Sequence, residues 1–214
     1  MALTILIEGV DKTGILIRND ISVSDELNSR NIFSFTLKNN TGYRPAIGQD
    51  VVVQNVGVTI FAGTIDDVRE FALSGTEYNE CIIECVDFNQ LPDRFKVYEI
   101  YENVTAGYIV KHIIDNFMAG EGITHTAVDD GPVVAKAVFN YDPASKAFDM
   151  LSEITGFVWY IDYDKNMHFH DREKYNAPIS LTDTSGNFRN LVVQRTRENY
   201  CNKLYLRGGQ DISD

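Results

Sequence analysis

Long hydrophobic runs are missing from this sequence. No segment approaches the roughly 18–20 consecutive apolar residues that a membrane-spanning helix needs. The first ten residues, MALTILIEGV, have no basic region ahead of an apolar core, so they do not resemble a secretory signal. We therefore expect no membrane span and synthesis in the cytoplasm.

Cysteine is scarce, with 3 in 214 residues. An odd number makes a closed disulfide framework a poor interpretation. Cys81 and Cys85 lie four residues apart in a predicted strand, which places their Cα atoms about 13 Å apart and beyond disulfide reach. We expect buried free thiols.

Basic charge is also in short supply, with 19 basic residues against 31 acidic ones and a net charge of −12. A protein that grips nucleic acid usually presents a basic face to the phosphates. Here only Arg195 and Arg197 form a small local pair. The composition argues against a nucleic-acid binder, but it suits a wall past which DNA moves without adhering.

Strings that mark common catalytic sites are absent as well. There is no G-x-x-x-x-G-K-[ST], no H-E-x-x-H and no G-x-S-x-G. Asp66-Asp67, Asp129-Asp130 and Asp87 are carboxylates of the kind that a glycoside hydrolase uses, but acidic pairs are common in so acidic a chain. His112 and His125 are interpreted as ordinary surface histidines, and no catalytic residue or cofactor is assigned.

What the sequence does contain predicts an α+β fold that is mainly β. Residues 1–100 alternate as strands separated by turn residues, which favours a small antiparallel β-barrel. Residues 101–176 form an inserted helix–strand–helix–hairpin unit, with one helix capped by Thr105 and another opened by Asp142-Pro143 and ended by Gly156. Residues 177–214 are predicted as return strands that start a second, possibly truncated, barrel.

The segment GFVWYIDYDKNMHFHD, residues 156–171, carries the only tryptophan and an H-x-H spacing. If all the large apolar side chains are to lie on one face, the two strands form a hairpin with a three-residue loop at residues 164–166. This register pairs Asp162 with His168. Trp159 and the other large apolar side chains then face the preceding helix. Asp162, His168 and His170 fall on the opposite, exposed face. They are the only metal candidates, and an exposed cross-strand pair is the simpler interpretation, so no metal is expected.

Four places resemble the hub proteins at the tail tip, or baseplate, of long-tailed bacteriophages. They are FAGTIDDVRE (residues 61–70), IIECVDFNQLPDRFKV (82–97), YDPASKAFDMLSEITGFVWYIDYDKNMHF (141–169) and NKLYLRGG (202–209). The third, a helix followed by a G-x-x-W-x-I-D hairpin, is the most specific. The order of elements along the chain also resembles that of the family.

This resemblance implies a structural, non-enzymatic hub in a phage or prophage virion. Such hubs are homotrimers whose subunits each supply two related barrels to a ring between the tail tube and the spike, fibre or tape-measure protein, with DNA passing through the lumen unbound. The family's second barrel continues beyond the point where this sequence stops. Two predicted edge strands are the expected subunit interfaces, namely the strand with Phe33, Phe35 and Leu37 and the strand with Leu191 and Val193.

Two other functions stay open from the sequence. One is a tail-associated hydrolase, peptidase or lysozyme-like, that uses the face with Asp162, His168 and His170. The other is a small carbohydrate-binding module of a secreted enzyme, against which the start of the chain and the odd cysteine count speak.

Overall fold

A seven-stranded antiparallel sheet forms the first part of the molecule. The structure, a computed structural model, describes residues 3–24, 30–38, 43–72 and 79–175. In chain order the strands of this sheet are β1 (Leu3–Ile7), β2 (Val10–Asp11), β3 (Leu16–Ser24), β4 (Ile32–Lys38), β5 (Asp50–Asn55), β6 (Val58–Ala72) and β7 (Asn79–Asp87). A short 3₁₀ turn at Thr13–Ile15 precedes β3. Their spatial order is β2-β1-β5-β6-β7-β4-β3.

The sheet curls around a single apolar core. Ile5 and Ile7 of β1 belong to the same buried cluster as Leu16 of β3, although these strands lie near opposite ends of the sheet. Strands near opposite ends of one sheet can contribute to the same core only if the sheet bends strongly. Within the described residues it is a curled half-barrel with β2 and β3 as its edges, and the predicted α+β, mainly β class is confirmed.

The expected interface strand turns out to be part of this core. Phe33, Phe35 and Leu37 are each only 1% exposed, and β4 lies between β7 and β3 rather than at an edge. Their side chains contact the subunit's own interior, so the structure corrects their assignment as interface residues. Leu191 and Val193, like all of residues 176–214, lie outside the described residues.

The second part of the molecule is an α/β unit that follows a 3₁₀ segment, Phe88–Arg94. Its elements are β8 (Lys96–Val97), β9 (Ile100–Thr105), α1 (Ala106–Phe117), β10 (Thr124–Val128), β11 (Val133–Val138), β12 (Asp142–Pro143), α2 (Ala144–Thr155), β13 (Phe157–Ile161) and β14 (Asn166–Asp171). Strands β10, β14 and β13 form a three-stranded sheet, whereas β9 pairs with β11 and β8 with β12. Both helices pack into one core with the three-stranded sheet.

The helix ends show which capping rules operate. Thr105 caps α1 as predicted, because its hydroxyl accepts a hydrogen bond from the Tyr108 amide at 3.2 Å. Asp142 does not cap α2. It lies in β12, where its carboxylate instead accepts from the Asn140 amide and from Lys146. Gly156 ends α2 in the left-handed conformation, with φ of 75°, as expected of a helix-terminating glycine.

A buried amide side chain joins the half-barrel to the α/β unit. Asp87, at the end of β7, accepts hydrogen bonds from both the backbone and the side-chain nitrogen of Asn89. The side-chain oxygen of Asn89 then accepts from the backbone N–H of Ile161 in β13, at 2.7 Å. Asp87 and Asn89 are 1% and 5% exposed, so this link works in a low-dielectric setting where unsatisfied groups are costly.

All of the described residues fall within one compact unit, Met1–Tyr175. The limits of 1–100, 101–176 and 177–214 for separate domains therefore remain a prediction. None of the helices in the described ranges is long and apolar enough to cross a membrane.

Candidate functional site

The hairpin of β13 and β14 has the predicted faces but a different register. Ile161 pairs with Met167 and Tyr160 with His168, and residues 162–165 connect the two strands instead of 164–166. Lys165 adopts the left-handed conformation, with φ of 58°. A slip of two residues keeps every side chain on its own face, which explains why the apolar face was predicted correctly while the pairing of Asp162 with His168 was wrong.

Asp162 organises this turn. One carboxylate oxygen accepts hydrogen bonds from the amides of Asp164 and Asn166, both at 2.9 Å. The other oxygen lies 2.8 Å from Nε2 of His168. Such use of both oxygens is typical of an aspartate that closes a loop on itself. Asp162 therefore supports the histidine rather than acting as an independent ligand.

The two histidines are not the exposed pair that the sequence predicted. His170 is 3% exposed, and the His168 side chain is 16% exposed. The ring of His168 stacks on Tyr160 at 4.4 Å, and the ring of His170 meets Tyr175 edge-on at 4.7 Å. These aromatic neighbours shield the face, so its description as open to water is corrected. No cluster of three or more metal-ligating side chains occurs in the described part of the chain.

Trp159 points inward, as predicted. Its ring lies 5.5 Å from that of Phe148 in α2, and its Nε1–H donates to Asp149 at 2.8 Å. Only 3% of the residue is exposed. The tryptophan therefore serves the packing of the hairpin on the helix.

Asp149 lines a cavity of about 340 Å³ that also involves Arg30, Asp93 and Ser145. Arg30 and Ser145 both donate to Asp93. Burial raises the pKa of Asp149, and the nearby negative charge of Asp93 adds to the effect, whereas the hydrogen bond from Trp159 opposes it. Sequence reasoning missed this cavity, because its walls come from distant parts of the chain that no local pattern connects.

We expect Asp149→Asn to be at least as stable as the wild type at pH 7. The folded-state pKa of Asp149 lies above its unfolded value, so ionisation costs stability; the cost is absent below the unfolded pKa and complete above the folded one. Asparagine removes this cost and still accepts from Trp159. Urea denaturation should show the advantage of the variant shrinking as the pH falls towards 4. Asp66→Asn, on β6 and away from this cavity, should show less change. A clear loss of stability at pH 7 would contradict this assignment.

An exposed aromatic patch, which the sequence did not single out, lies on the α/β unit. Tyr98 and Tyr141 stack at 5.3 Å and are 60% and 67% exposed. Ile100 and Val138, a directly paired couple across β9 and β11, are 59% and 49% exposed. Tyr141 has a φ of 57°, an uncommon conformation for a large residue. The two exposed pairs are two to three residues apart along the chain, and exposed apolar side chains grouped in this way mark surfaces that contact other molecules.

The remaining candidates have local partners. His125 lies 3.1 Å from Asp115, and His112 contacts the hydroxyl of Tyr101 at 2.9 Å. Asp129 and Asp130 bind different lysines, Lys174 and Lys111. Neither carboxylate shares the cavity of Asp149. Asp67 pairs with Arg69. The acidic pairs are therefore solvated or ion-paired, as their abundance suggested.

The cysteines follow the prediction within the described residues. Cys81 and Cys85 are both buried, and burial raises the pKa of the Cys85 thiol. A buried, neutral thiol is a poor nucleophile. Cys201 lies outside the described residues.

The fold is that of prophage tail proteins, and the resemblance inferred from the sequence is confirmed at this level. The 43 kDa tail protein of prophage MuSo2 from Shewanella oneidensis has a TM-score of 0.64 and 16% identity, over 84% of this chain and 57% of that one. Tail protein gp18 of a Listeria monocytogenes prophage has a TM-score of 0.64 and 15% identity, over 83% and 52% of the two chains.

A third similar structure is a component of a bacterial secretion system. The E. coli c3393 protein is a component of the type VI secretion system with structural similarity to the T4 tail proteins gp27 and gp5; it has a TM-score of 0.52 and 13% identity, over 77% of this chain and 47% of that one. The chain thus spans about half the length of the solved proteins that it matches. No protein-family model and no curated protein matches the sequence.

Proposed function

We propose that this protein is a structural hub subunit of a phage or prophage tail baseplate. The observation that carries the proposal is the fold shared with prophage tail proteins over more than four fifths of the chain. In this role it acts by assembly rather than by catalysis. It forms a homotrimeric ring between the tail tube and the spike, fibre or tape-measure protein, after synthesis in the cytoplasm of the host.

Two properties of the chain support an assembly role. The aromatic patch of Tyr98, Ile100, Val138 and Tyr141 exposes apolar surface to solvent. Such surface is expected of a subunit that buries it against another protein. The net charge of −12 suits a ring through which DNA passes without binding, because like charge discourages adhesion.

The proposed ring is tested by the mass of the purified, untagged protein in solution. Light scattering should give three times the 24.2 kDa of one chain, and negative-stain images should show a ring with threefold symmetry. An interface of this obligate kind typically buries about 2,000 Å² or more, so the mass should hold on dilution. A monomer at all concentrations would contradict the trimer for this chain.

The tail assignment is tested separately in the phage or prophage that encodes the protein. Deleting the gene should abolish assembled tails, and mass spectrometry of purified tails should detect the chain. Intact, infectious tails in the deletion strain would contradict the assignment even if the purified protein were a trimer.

A further inference from the structure

The two histidines of β14 each carry a buried ring nitrogen that lacks a hydrogen-bond partner. These atoms are Nδ1 of His168 and Nε2 of His170. Buried polar atoms are nearly always satisfied, so each exception calls for a cause such as a missing ion or water. Only one other buried side-chain atom in the described residues, Oδ1 of Asn55, shares this property.

In each ring the other nitrogen has a hydrogen-bond partner, and this partner identifies the tautomer of the ring. Nε2 of His168 lies 2.8 Å from a carboxylate oxygen of Asp162, and Nδ1 of His170 lies 2.7 Å from the carbonyl oxygen of Asp171. Carbonyl and carboxylate oxygens only accept, so each of these nitrogens carries a proton. In a neutral imidazole the other nitrogen then bears a lone pair. The two unpartnered atoms are therefore both electron-pair donors.

This arrangement matches that of metal-binding histidines. Such a histidine donates its remote N–H to a carboxylate or a backbone carbonyl, which orients the ring and increases the basicity of the ligating nitrogen. His168 uses the carboxylate of Asp162, and His170 uses the carbonyl of Asp171. The parallel stack of His168 on Tyr160, with an angle of 7° between the rings, further restricts its rotation.

The distance between the rings suits a shared ion. His168 and His170 are two residues apart on one face of β14, with ring centres 6.1 Å apart. A transition ion about 2.0–2.1 Å from each nitrogen would lie roughly 3.2 Å from each ring centre, so two rings can share it at separations up to about 6.4 Å. Tetrahedral coordination requires about 5.2 Å. Since the stack restricts His168, the movement falls to the His170 ring, which meets its aromatic neighbours only edge-on. A rotation of that ring that brings the two centres about 1 Å closer would meet this requirement.

We propose that Nδ1 of His168 and Nε2 of His170 bind one divalent first-row transition-metal ion, with water or a further group filling the other positions. Imidazole nitrogens select zinc, nickel, cobalt or copper over magnesium and calcium, which prefer oxygen. Two protein ligands agree with the absence of any larger cluster in the described ranges. Both ligands belong to β14, so the ion would stabilise the fold by binding only where the extended strand holds both rings on one face. This inference does not depend on the proposed tail function.

The site is tested by titrating the untagged, chelator-treated protein with Zn²⁺, using Mg²⁺ as the negative control. Calorimetry should detect one Zn²⁺ per chain, and Zn²⁺ but not Mg²⁺ should raise the melting temperature. His168→Ala and His170→Ala should each weaken Zn²⁺ binding tenfold or more. His112→Ala and His125→Ala are the matched controls, since both rings lie elsewhere with other partners, and they should leave binding unchanged.

A measurement on the wild type covers the case in which a histidine variant fails to fold. Anomalous diffraction at the zinc edge should place the ion between the rings of His168 and His170. An ion at His112 or His125, an ordered water between the two rings of β14 in zinc-soaked crystals, or no binding above that of Mg²⁺ would each overturn the proposal. Loss of zinc binding in the two control variants would do the same.

Discussion

Replacing Gly63 by alanine should destabilise the chain by about 3 kcal/mol or more, at the upper end of the range for overpacking. A Cβ at this position would lie 2.0 Å from the carbonyl oxygen of Val86 and 2.8 Å from the Cα of Asp87. Both are backbone atoms of β7, the neighbouring strand, so no side chain can rotate away. The β6–β7 pair must move apart, although it lies at the centre of the sheet.

Thermal melting followed by circular dichroism measures this effect. For a chain of this size about 1 kcal/mol corresponds to 2–4 °C, so we expect the melting temperature of Gly63→Ala to fall by about 6 °C or more. Gly14→Ala is the matched control, because a Cβ there meets nothing within 4 Å. Equal melting temperatures for the two variants would show that the close approach of β6 and β7 has been misplaced. Gly63, the third residue of the segment FAGTIDDVRE, is therefore required for steric reasons.

Trp159→Ala is the second substitution with a large expected effect, about 3–5 kcal/mol. The indole is almost fully buried against Phe148 and gives its N–H to Asp149. Its removal leaves a cavity between β13 and α2 and deprives the Asp149 carboxylate of its donor. Urea denaturation of the variant should show a lower midpoint with a similar slope.

A second variant separates the packing of Trp159 from its hydrogen bond. Trp159→Phe keeps an aromatic ring but has no donor for Asp149, so its loss should be intermediate and should diminish as acid protonates Asp149. Tyr108→Ala, at a half-exposed aromatic on α1, is the comparison for loss of an aromatic side chain as such. A Trp159→Ala midpoint no lower than that of Tyr108→Ala would contradict the inward packing of the hairpin.

Local patterns predicted what depends on neighbours along the chain. Thr105 caps α1 and Gly156 ends α2, because capping involves residues within one turn. The apolar face of the hairpin was also predicted, since alternation assigns faces whatever the register. The predicted loop at residues 164–166 was wrong because the Asp162 carboxylate stabilises a four-residue connection, residues 162–165. Alternation of apolar and polar residues cannot distinguish registers that differ by two.

Features that depend on strand order could not be predicted in this way. β4 was interpreted as an edge strand, but it lies between β3 and β7, and alternation looks the same in a central strand and at an edge. The burial of His170 similarly depends on packing from Tyr175, which the pattern of β14 does not contain. The aromatic patch joins Tyr98 to Tyr141 through a stack, and only the fold brings these residues together.

The hydrogen bond made by the Asn89 side chain limits where the chain can be divided into fragments that fold. Its side-chain oxygen accepts a hydrogen bond from the Ile161 amide of β13. Asn89 itself lies in the 3₁₀ segment that follows the last strand of the half-barrel. A fragment cut between these two regions would expose a hydrophobic seam and leave the Ile161 amide without its acceptor. The α/β insertion is therefore not a portable module, and grafting it onto another scaffold would require carrying residues 87–95 along with it.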